Sequence, residues 1–380
     1  MKIGIPVETV SGETRVAMVP GNIAAFTRLE HEIIIQKNAG ANSFISDKEF
    51  EKAGASIVDD AKMLFAQADV VFKVQPPSAD EVKLMKDGAI YMGNLAPLNN
   101  HDTLKAMNKK QITGFATEFI PRISRAQSMD TLSSMATLAG YKAVLISANH
   151  LGKIFPLLMT AAGSIPPATT FILGAGVAGL QAIATAKRLG SRVEAFDPRP
   201  AVEEQVKSLG ATFVHMEVPE ENVETTGGYA KQQSDAFLVA EQKAISARLP
   251  KVDVIITTAQ IFGKAAPILI TEEMVKMMRS GSVIIDLAIE GGGNCELTEA
   301  GKTVVKHGVT IVGTLNLPAT LPINGSSMFS KNLLNLFKNI FQKENNSLDF
   351  DEEVTAGACI THAGEIRNEL VKKSMTGGNA

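Results

Sequence analysis

The chain has 380 residues, which is too long for one ordinary core and predicts two domains of roughly 150 to 200 residues each. A formal net charge of -3 and a pI near 6.1 provide no positive surface for nucleic acid or anionic lipid, so no nucleic-acid partner is expected. The two cysteines, Cys295 and Cys359, are too few for a disulfide framework and do not have the spacing of metal ligands.

Short β-branched runs alternate with helix-period segments along most of the chain, a pattern typical of parallel sheets covered by helices. In the first third, the predicted strands are the segments KIGIPVE, HEIIIQK, ASIVD, DVVFKVQ, AIYMGNL and ITGFATEF. Helices are predicted between them, for example PGNIAAFTRLE, in which Pro20 comes before the first turn. The first residues read as a strand and not as a secretory signal, and no segment is uniformly apolar enough to span a membrane.

A polar ten-residue segment, PRISRAQSMD (121–130), separates these strands from a predicted helix at 134–148. A second α/β series then follows. Its predicted strands lie in ATTFILGAGVAGL, SRVEAFDPR, ATFVHMEV, VDVIITTA, SVIIDLA and VTIVGT. The polar segment therefore stands between two sheets, and a solvated interdomain linker is the simplest interpretation of it.

Beyond Leu317, prolines interrupt the second series. The segment SSMFSKNLLNLFKNIF indicates a capped amphipathic helix, and VTAGACITHAGEI indicates a short pair of strands. Because these elements have no third sheet to join, we expect them to pack on the first domain. The prediction is an α/β protein with two Rossmann-like, doubly wound parallel-sheet domains: a discontinuous N-terminal domain (1–133 and 322–380) completed by C-terminal segments, and an inserted domain (134–321).

A nucleotide-binding pattern opens the inserted domain. Gly174, Gly176 and Gly179 stand in G-x-G-x-x-G order between an apolar strand and a long helix, and Asp197 ends the next strand. In this pattern the glycines allow a tight turn, close approach of a pyrophosphate, and contact between helix and strand, while the carboxylate favours NAD(H) over NADP(H). Arg199 tempers that preference. The alternatives are a glycine-rich turn without a ligand, and Asp197 as a turn residue.

A general acid for reduction of a carbonyl or imine is not evident near this pattern. The six histidines are scattered, and none is predicted at a strand end that faces the cofactor. Arg15 and Lys73 follow strands of the first domain, but either could be a surface charge. A nicotinamide site without an acid–base group favours direct hydride transfer between two nicotinamides, which requires orientation and exclusion of water.

Several motifs together resemble a known family: PRISRAQSMD with LSS and AGY, TAAGSIPPA, GAGVAGLQAIATAKRLG, TTGGYAK, and GSVIIDLAIEGGGNCELTE. The chain is similar, from GETRVAMVP to TAGACIT, to the NAD(H)-binding domain I of proton-translocating NAD(P) transhydrogenases, which are related to alanine dehydrogenases. The resemblance implies two Rossmann-like domains, with the N-terminal one completed by C-terminal segments. It therefore agrees with the discontinuous arrangement read from the pattern.

The resemblance also implies an activity and partners. The implied reaction is a reversible, direct hydride transfer, Re/Si-specific, between NADH on this chain and NADP⁺ on a separate NADP-binding domain. In the family, a membrane proton-channel subunit couples that reaction to proton translocation. The chain would then be a homodimer, peripheral on the cytoplasmic face of the inner membrane through its partner subunits, with NAD(H) as its cofactor and no metal.

By the same resemblance, Arg122, Gln127, Asp130 and Ser133 act on the nicotinamide and its ribose. Tyr229 matches a tyrosine that closes over bound nucleotide, although it could simply be exposed, and Gln260 stands where the family has an apolar residue in the adenosine cleft. The predicted cofactor-binding residues are Arg122, Ile123, Ser124, Gln127, Ser128, Met129, Asp130, Gly174, Ala175, Gly176, Val177, Gly179, Asp197, Pro198, Arg199, Gly228, Tyr229 and Gln260.

Two other functions stay open. In alanine dehydrogenases, the arginine matched by Arg15 binds the substrate carboxylate, and a lysine matched by Lys73 acts with a histidine. This chain has Asn94 at the position of that histidine, and an amide cannot shuttle a proton at neutral pH, so Asn94 counts against an amino-acid dehydrogenase. Arg15 and Lys73 would then be relics or ion-pair partners. The remaining alternative is a regulatory module that binds NAD without catalysis.

Overall fold

A computed structural model of the protein describes residues 1–216, 235–341 and 347–376. The chain divides into two compact units. The first unit comprises Met1–Met135 and Pro318–Ala380, and the second unit is Ala136–Leu317.

The described strands are short and belong to two large sheets and one hairpin. In chain order they are β1 (Lys2–Ile5), β2 (Glu32–Gln36), β3 (Ser56–Val58), β4 (Val70–Lys73), β5 (Ile90–Gly93), β6 (Thr113–Ala116), β7 (Leu158–Thr160), β8 (Gly163–Ile165), β9 (Thr169–Leu173), β10 (Arg192–Phe196), β11 (Thr212–Phe213), β12 (Val254–Thr257), β13 (Val283–Asp286), β14 (Thr303–Lys306), β15 (Val309–Val312), β16 (Cys359–His362) and β17 (Glu365–Ile366).

The described α-helices range from single turns to long helices. In chain order they are α1 (Pro20–Thr27), α2 (Asp47–Lys52), α3 (Ala61–Gln67), α4 (Ala79–Leu84), α5 (His101–Lys109), α6 (Thr131–His150), α7 (Val177–Arg188), α8 (Glu203–Ser208), α9 (Asp235–Ser246), α10 (Glu272–Lys276), α11 (Pro322–Ile340), α12 (Glu353–Ala358) and α13 (Glu369–Met375). Among the described residues, no helix has the length and apolar character needed to cross a membrane.

The first unit contains a sheet in the order β17-β16-β6-β5-β4-β1-β2-β3. Strands β1 to β6 pair in parallel, whereas β16 runs antiparallel to β6 and β17 runs antiparallel to β16. The C-terminal segment thus supplies two edge strands to the N-terminal sheet. This confirms the expectation that C-terminal segments complete the first Rossmann-like fold.

The second unit contains a sheet in the order β11-β10-β9-β12-β13-β15-β14. All of its strands are parallel except β14, which lies antiparallel to β15 at one edge. The central strands β12 and β13 are fully buried, as expected when helices cover both faces of a parallel sheet. The doubly wound class predicted from the sequence is therefore confirmed.

The core of the first unit joins a strand to helices from both ends of the chain. Phe26 of α1, Phe72 of β4 and Phe337 of α11 meet edge to face, with ring centroids 5.3 to 6.0 Å apart. Each of these rings is buried, and burying a side chain of that size stabilises a fold by roughly 2 to 3 kcal/mol. Helix α11 is thereby fixed to the first sheet by the same hydrophobic contacts that predicted it as amphipathic.

Two predictions about the C-terminal segment were wrong in detail. Helix α11 begins at Pro322 and not at the serines, because Ser326 and Ser330 lie inside the helix and accept hydrogen bonds from the backbone N–H groups of Val16 and Val19 at 3.0 and 3.2 Å. The predicted strand pair is shorter, since Glu353–Ala358 forms α12. Glu352 caps that helix by accepting hydrogen bonds from the backbone N–H groups of its first turn.

The sequence analysis did not identify the hairpin β7–β8 of the second unit. Its strands are antiparallel and every residue in them is exposed. Met159 is 75% exposed, and Leu157 before the hairpin is 57% exposed, which is unusual for side chains of this size. The apolar character that suggested a buried segment here thus belongs to a protruding ribbon.

Candidate functional site

Both sheets have a point at which the strand order reverses, and in α/β folds this point forms a crevice beyond the carboxyl ends of the strands. In the first unit the reversal lies between β1 and β4, and in the second unit it lies between β9 and β12. The predicted glycine turn follows β9, so it stands at the reversal point of the second unit. Arg15 and Lys73 stand at that of the first.

The glycine turn depends on the missing side chains. Gly174 has φ +98°, a left-handed conformation that favours glycine, and a Cβ there would collide with Oγ1 of Thr258. Thr258 donates its hydroxyl to the carbonyl of Gly174 at 3.0 Å. The turn is therefore tied to the residue that follows β12, on the other side of the reversal point.

Gly179 and Gly176 have different steric surroundings. A Cβ on Gly179 would fall on the carbonyl oxygen of Gly174, whereas a Cβ on Gly176 would meet no atom within 4 Å. Gly176 is the N-cap of α7, and the first N–H groups of an α-helix have no intrahelical acceptor. The space above Gly176, beside exposed Val177 and the positive end of the helix dipole, fits a dinucleotide pyrophosphate.

Asp197 holds the turn together from the end of β10. Its buried carboxylate accepts a hydrogen bond from the backbone N–H of Ala175 at 2.7 Å. It also accepts from Arg199, through the backbone N–H at 2.9 Å and Nε at 2.8 Å, with Pro198 between the two charged residues. The interpretation of Asp197 as a free acceptor needs correction, because Arg199 already pairs with it; binding of ribose hydroxyls stays a prediction.

A second carboxyl group lies near Asp197 and was missed in the sequence. Glu241 of α9 is 5% exposed and stands one helical turn before Ile245, which shares a hydrophobic cluster with Phe196 at the end of β10. Burial, with a further contribution from the negative charge of Asp197, raises the pKa of Glu241 to about 7. No motif signals this residue, because its position follows from packing of α9.

On the β12 side, buried polar residues shape the turn that carries Gln260. Asn294 accepts a hydrogen bond from the N–H of Ala259 at 3.0 Å and donates to the carbonyl of Ala259 at 2.9 Å. Asp286, at the end of β13, accepts from the N–H of Asn294 at 2.9 Å. Gln260 itself is exposed and donates to the carbonyl of Leu287 at 3.1 Å. Asp286 and Asn294 were not identified from the sequence, although GGGN after a strand was a visible signal.

The polar segment 121–130 belongs to the first unit and is ordered as a 3₁₀ helix, Ser124–Met129. Ala126 and Met129, three residues apart, are buried in the core, while Ser124, Gln127 and Ser128 are exposed. The interpretation of this segment as a solvated linker is therefore wrong for its apolar face. Its exposed face carries the predicted cofactor-binding side chains.

Asp130 and Ser133 lie together at the start of α6. The Asp130 carboxylate accepts hydrogen bonds from the backbone N–H of Ser133 at 2.9 Å and from its hydroxyl at 2.6 Å. This is the arrangement of a helix N-cap, which contributes about 1 kcal/mol. Of the other predicted residues, Arg122 is exposed and Ile123 packs partly against the core.

The segment is anchored by residues that the sequence analysis did not identify. Arg125 forms an ion pair with Glu352. The carbonyl of Ser128 accepts hydrogen bonds from Nδ2 of Asn332 at 2.9 Å and of Asn335 at 3.0 Å. Burial would raise the pKa of Glu352, but hydrogen bonds from Arg125 and from the start of α12 outweigh it and hold the pKa at about 2.

At the reversal point of the first unit, Arg15 and Lys73 are buried in ion pairs, so their interpretation as surface charges is wrong. Nε and Nη2 of Arg15 donate to the two oxygens of Glu13 at 2.7 and 2.6 Å. Lys73 contacts Glu81 at 2.7 Å and Glu8 at 3.7 Å. The alternative interpretation, ion-pair partners, matches this geometry.

Asn94 is also engaged within the protein. Its Oδ1 accepts the hydroxyl of Thr117 at 2.6 Å, and its carbonyl accepts the hydroxyl of buried Tyr91 at 2.9 Å. The amide thus has a structural contact at the position where the related dehydrogenases were expected to have histidine. No proton-transfer role follows from this geometry.

We expect the stability of the first unit to fall as pH rises from about 4.5 to about 7, because of Glu8. Burial, only partly offset by Lys73, raises the pKa of Glu8 from 4.5 to about 7. A carboxyl whose pKa is higher in the folded state binds more protons there, so its contribution, roughly 3 kcal/mol, is complete below pH 4.5 and is lost through pH 7. Glu8→Gln should therefore flatten the dependence of the thermal midpoint on pH between 5 and 8.

Two other carboxyls define the comparison for that measurement. Glu241 acts in the same direction in the second unit, so the slope should decrease without vanishing. Glu13 acts in the opposite direction: burial is outweighed by Arg15, its pKa is held at about 2, and its contribution is lost only as pH falls from 4.5 toward 2. An unchanged slope in Glu8→Gln would show that Glu8 does not titrate in this window.

Two predicted residues, Gly228 and Tyr229, lie outside the described residues. Among the residues that are described, no group of His, Cys, Asp and Glu side chains has the geometry to hold a metal ion.

Comparison with known proteins matches nearly the whole chain to one family. Residues 4–139 match the model described as "Alanine dehydrogenase/PNT, N-terminal domain", and residues 143–369 match "Alanine dehydrogenase/PNT, C-terminal domain". The two matches together span both units.

Individual relatives agree with this match. The chain is 47% identical over 388 aligned positions to the first of the separately encoded pieces of the NAD(P) transhydrogenase alpha subunit of Rhodospirillum rubrum, covering 100% of both chains. It is 30% identical to the alanine dehydrogenase of Methanococcus maripaludis, covering 98% of this chain and 96% of the relative. The crystal structure of a transhydrogenase from Sinorhizobium meliloti superposes with a TM-score of 0.85 at 39% identity, covering 97% of this chain and 99% of that one.

Proposed function

Because the chain belongs to the alanine dehydrogenase/PNT family, we propose that it is the NAD(H)-binding component of an NAD(P) transhydrogenase. The observation that carries the proposal is the turn at Gly174, with open space at Gly176 beside the start of α7. Such a turn places backbone N–H groups toward a pyrophosphate. The full-length similarity to a transhydrogenase alpha subunit supports that assignment over other dinucleotide-binding enzymes.

When bound, NAD(H) supplies or accepts the hydride, in a reversible, Re/Si-specific exchange with NADP(H) held on a partner domain. The chain's own residues bind and orient: the turn from Gly174 to Gly179 binds the phosphates, and Asp197 fixes the turn through Ala175. Gln127 and Arg122, on the exposed face of 121–130, contact the nicotinamide and its ribose. No side chain is required to donate or accept a proton in the transfer, which agrees with the lack of an acid–base residue among these positions.

Alanine dehydrogenase activity is the second candidate, since the chain is 30% identical to such an enzyme. The geometry disfavours it. Arg15, the residue expected to bind a substrate carboxylate, is engaged by the carboxylate of Glu13 through two hydrogen bonds, and Asn94 cannot carry a proton. A regulatory module that binds NAD(H) without catalysis is the third candidate and differs in its lack of transfer to any acceptor.

Partner subunits follow from the same proposal. The chain would act with an NADP-binding domain and a membrane component that couples transfer to proton translocation, lying peripherally on the cytoplasmic face of the inner membrane. We also propose a homodimer. The exposed apolar side chains of the hairpin β7–β8, including Met159 and Leu158, support it, because such surface is usually covered by a partner. A monomer in sedimentation equilibrium at micromolar concentration would contradict this part of the proposal.

The proposed function is tested by mixing the chain with an NADP-binding domain from a transhydrogenase and following hydride transfer from NADH to NADP⁺. Transfer that requires both proteins is expected. Tight NADH binding with no transfer would leave only the regulatory module, while NADH oxidation that depends on pyruvate and ammonia, without the partner domain, would establish the dehydrogenase.

Within this function, Arg199→Ala is expected to raise the preference for NADH over NADPH by about tenfold. Arg199 offsets the negative charge of Asp197, with Glu241 close by, and its loss increases repulsion of a 2′-phosphate; about 1.4 kcal/mol suffices for a tenfold change. Fluorescence titration of both cofactors measures the ratio of dissociation constants. Arg188→Ala, an exposed position at the end of α7, is the matched control, and an unchanged ratio in Arg199→Ala would refute the charge argument.

A further inference from the structure

One face of α11 carries three asparagines that point to the segment 121–130 and its anchor. They occupy positions 332, 335 and 339, the i, i+3, i+7 spacing that places side chains on one side of a helix. Asn332 and Asn335 both donate Nδ2 to the carbonyl oxygen of Ser128, at 2.9 and 3.0 Å. A carbonyl oxygen has two lone pairs, so this pair of amides satisfies it completely.

The third asparagine acts on the other anchor of the segment. Asn339 donates Nδ2 to Oε2 of Glu352 at 2.7 Å. Glu352 in turn pairs with Arg125 and accepts the N–H of Thr355 at 2.7 Å at the start of α12. One helix therefore restrains the 3₁₀ helix Ser124–Met129 at two points, three residues apart: directly at Ser128 and through Glu352 at Arg125.

Between these two points lies Gln127, whose side chain is exposed. The neighbours Ala126 and Met129 are buried in the core that also contains Leu333, Leu336 and Phe337 of α11. The apolar contacts fix the depth of the segment, whereas the hydrogen bonds to Ser128 fix its rotation about its own axis. Rotation is the motion that would redirect Gln127, because the apolar residues permit several orientations and a bifurcated hydrogen bond permits one.

We propose that the asparagine face of α11 (Asn332, Asn335 and Asn339) positions the segment 121–130 for hydride transfer, so that Gln127 meets the nicotinamide in one orientation. The inference rests on the proposed function. These asparagines are positioning residues, since they act through the segment and not on the reacting atoms.

The cost of Asn332 supports a role beyond folding. It is 5% exposed, and its Oδ1 is buried without a hydrogen-bond partner in the described residues. A buried acceptor without a partner is destabilising, and leucine, with a similar branched shape, would remove that penalty among Leu333, Leu334 and Leu336. An asparagine kept at this position is therefore better explained by its bond to Ser128 than by stability.

The double variant Asn332→Leu with Asn335→Ala tests the proposal. In a mixture with an NADP-binding domain, hydride transfer from NADH to NADP⁺ is expected to fall roughly 10- to 100-fold, the size of effect produced by a misplacement of about 1 Å. The NADH dissociation constant should change by less than about threefold, because the phosphates are bound in the second unit. The thermal midpoint should stay at or above that of the unchanged protein.

A second readout needs neither cofactor nor transfer. Hydrogen exchange of the backbone amides in 121–130 should accelerate at least about tenfold in the double variant, because the restraint on the carbonyl of Ser128 is lost. Asn324→Ala is the matched control: Asn324 lies on the same helix, is exposed, and should leave transfer and exchange unchanged. If the double variant does not fold, Asn335→Asp, which keeps the shape of the side chain but removes its donor, serves in both measurements.

The possible outcomes separate this inference from the proposed function. Slower transfer with intact NADH binding and faster exchange in 121–130 supports the positioning role. Normal transfer and normal exchange would overturn it, as would a parallel loss of thermal midpoint, NADH affinity and transfer, which indicates a structural role alone. Absence of transfer in the unchanged protein would reject the proposed function, and the exchange measurement would then still decide whether α11 restrains the segment.

Discussion

Gly179→Ala is expected to abolish measurable NADH binding and to lower the free energy of unfolding of the second unit by roughly 3 kcal/mol. A Cβ at this position falls on the carbonyl oxygen of Gly174, far inside the 3.0 Å that real Cβ atoms keep. Because that oxygen is part of the backbone, α7 must shift away from β9, and overpacking of this kind costs about 1 to 3 kcal/mol or more. Isothermal titration with NADH and thermal unfolding measure the two effects.

Gly176→Ala is the matched control, with an opposite balance of effects. Its Cβ meets no atom within 4 Å and its φ of -75° suits any residue, so the free energy of unfolding should change by less than about 1 kcal/mol. The methyl group does, however, occupy the space proposed for the pyrophosphate, and NADH affinity should fall at least about tenfold. Wild-type affinity in Gly176→Ala would mean that the phosphates do not bind at this turn.

Gln127→Asn is expected to slow hydride transfer roughly 100-fold while changing NADH affinity by less than about threefold. The substitution withdraws the amide by one methylene, and a displacement of about 1 Å at a reacting centre has an effect of this size. Gln127 is exposed, so the fold should not be affected, and most of the NADH affinity comes from the glycine turn and Asp197. Single-turnover transfer to NADP⁺ on a partner domain and titration with NADH separate the two quantities.

Asp130→Asn extends this test to a residue with a structural contact. Asparagine caps a helix about as well as aspartate, so the bond to the N–H of Ser133 can persist and only the charge is removed. Slower transfer with unchanged thermal stability would assign a role to the charge, whereas Asp130→Ala should lose about 1 kcal/mol of stability as well. If affinity and rate fall together in Gln127→Asn, the segment 121–130 is a binding element and does not primarily orient the nicotinamide.

The doubly wound architecture could be predicted because it follows from local patterns. Buried parallel strands such as VIIT (Val254–Thr257) and VIID (Val283–Asp286) are continuous apolar runs, and that composition is visible in the chain. The glycine turn was also predictable, since the left-handed φ of Gly174 and the close approach at Gly179 each admit essentially one residue type. Both features constrain neighbouring residues only.

Features that depend on long-range contacts were not predictable. Ser326 and Ser330 suggested a helix cap, but they bond to backbone groups more than 300 positions earlier in the chain. The pairing of Asp197 with Arg199 could be guessed from their spacing, whereas burial of Glu241 beside them depends on how α9 packs. Arg15 and Lys73 looked like possible surface charges because nothing local showed that Glu13 and Glu81 would enclose them.

The sequence by itself determined the fold class, the position of the nucleotide turn and the family, because each depends on residue types at short and fixed spacings. Only the tertiary structure decided how the segment 121–130 is held. The carbonyl of Ser128 is a backbone group that every residue possesses, and its partners, Asn332 and Asn335, lie about 200 positions away on a helix that hydrophobic packing brings to the first sheet. Hydrogen bonds to a backbone carbonyl leave no signature in the residue that accepts them, so they become visible only when the packing is known.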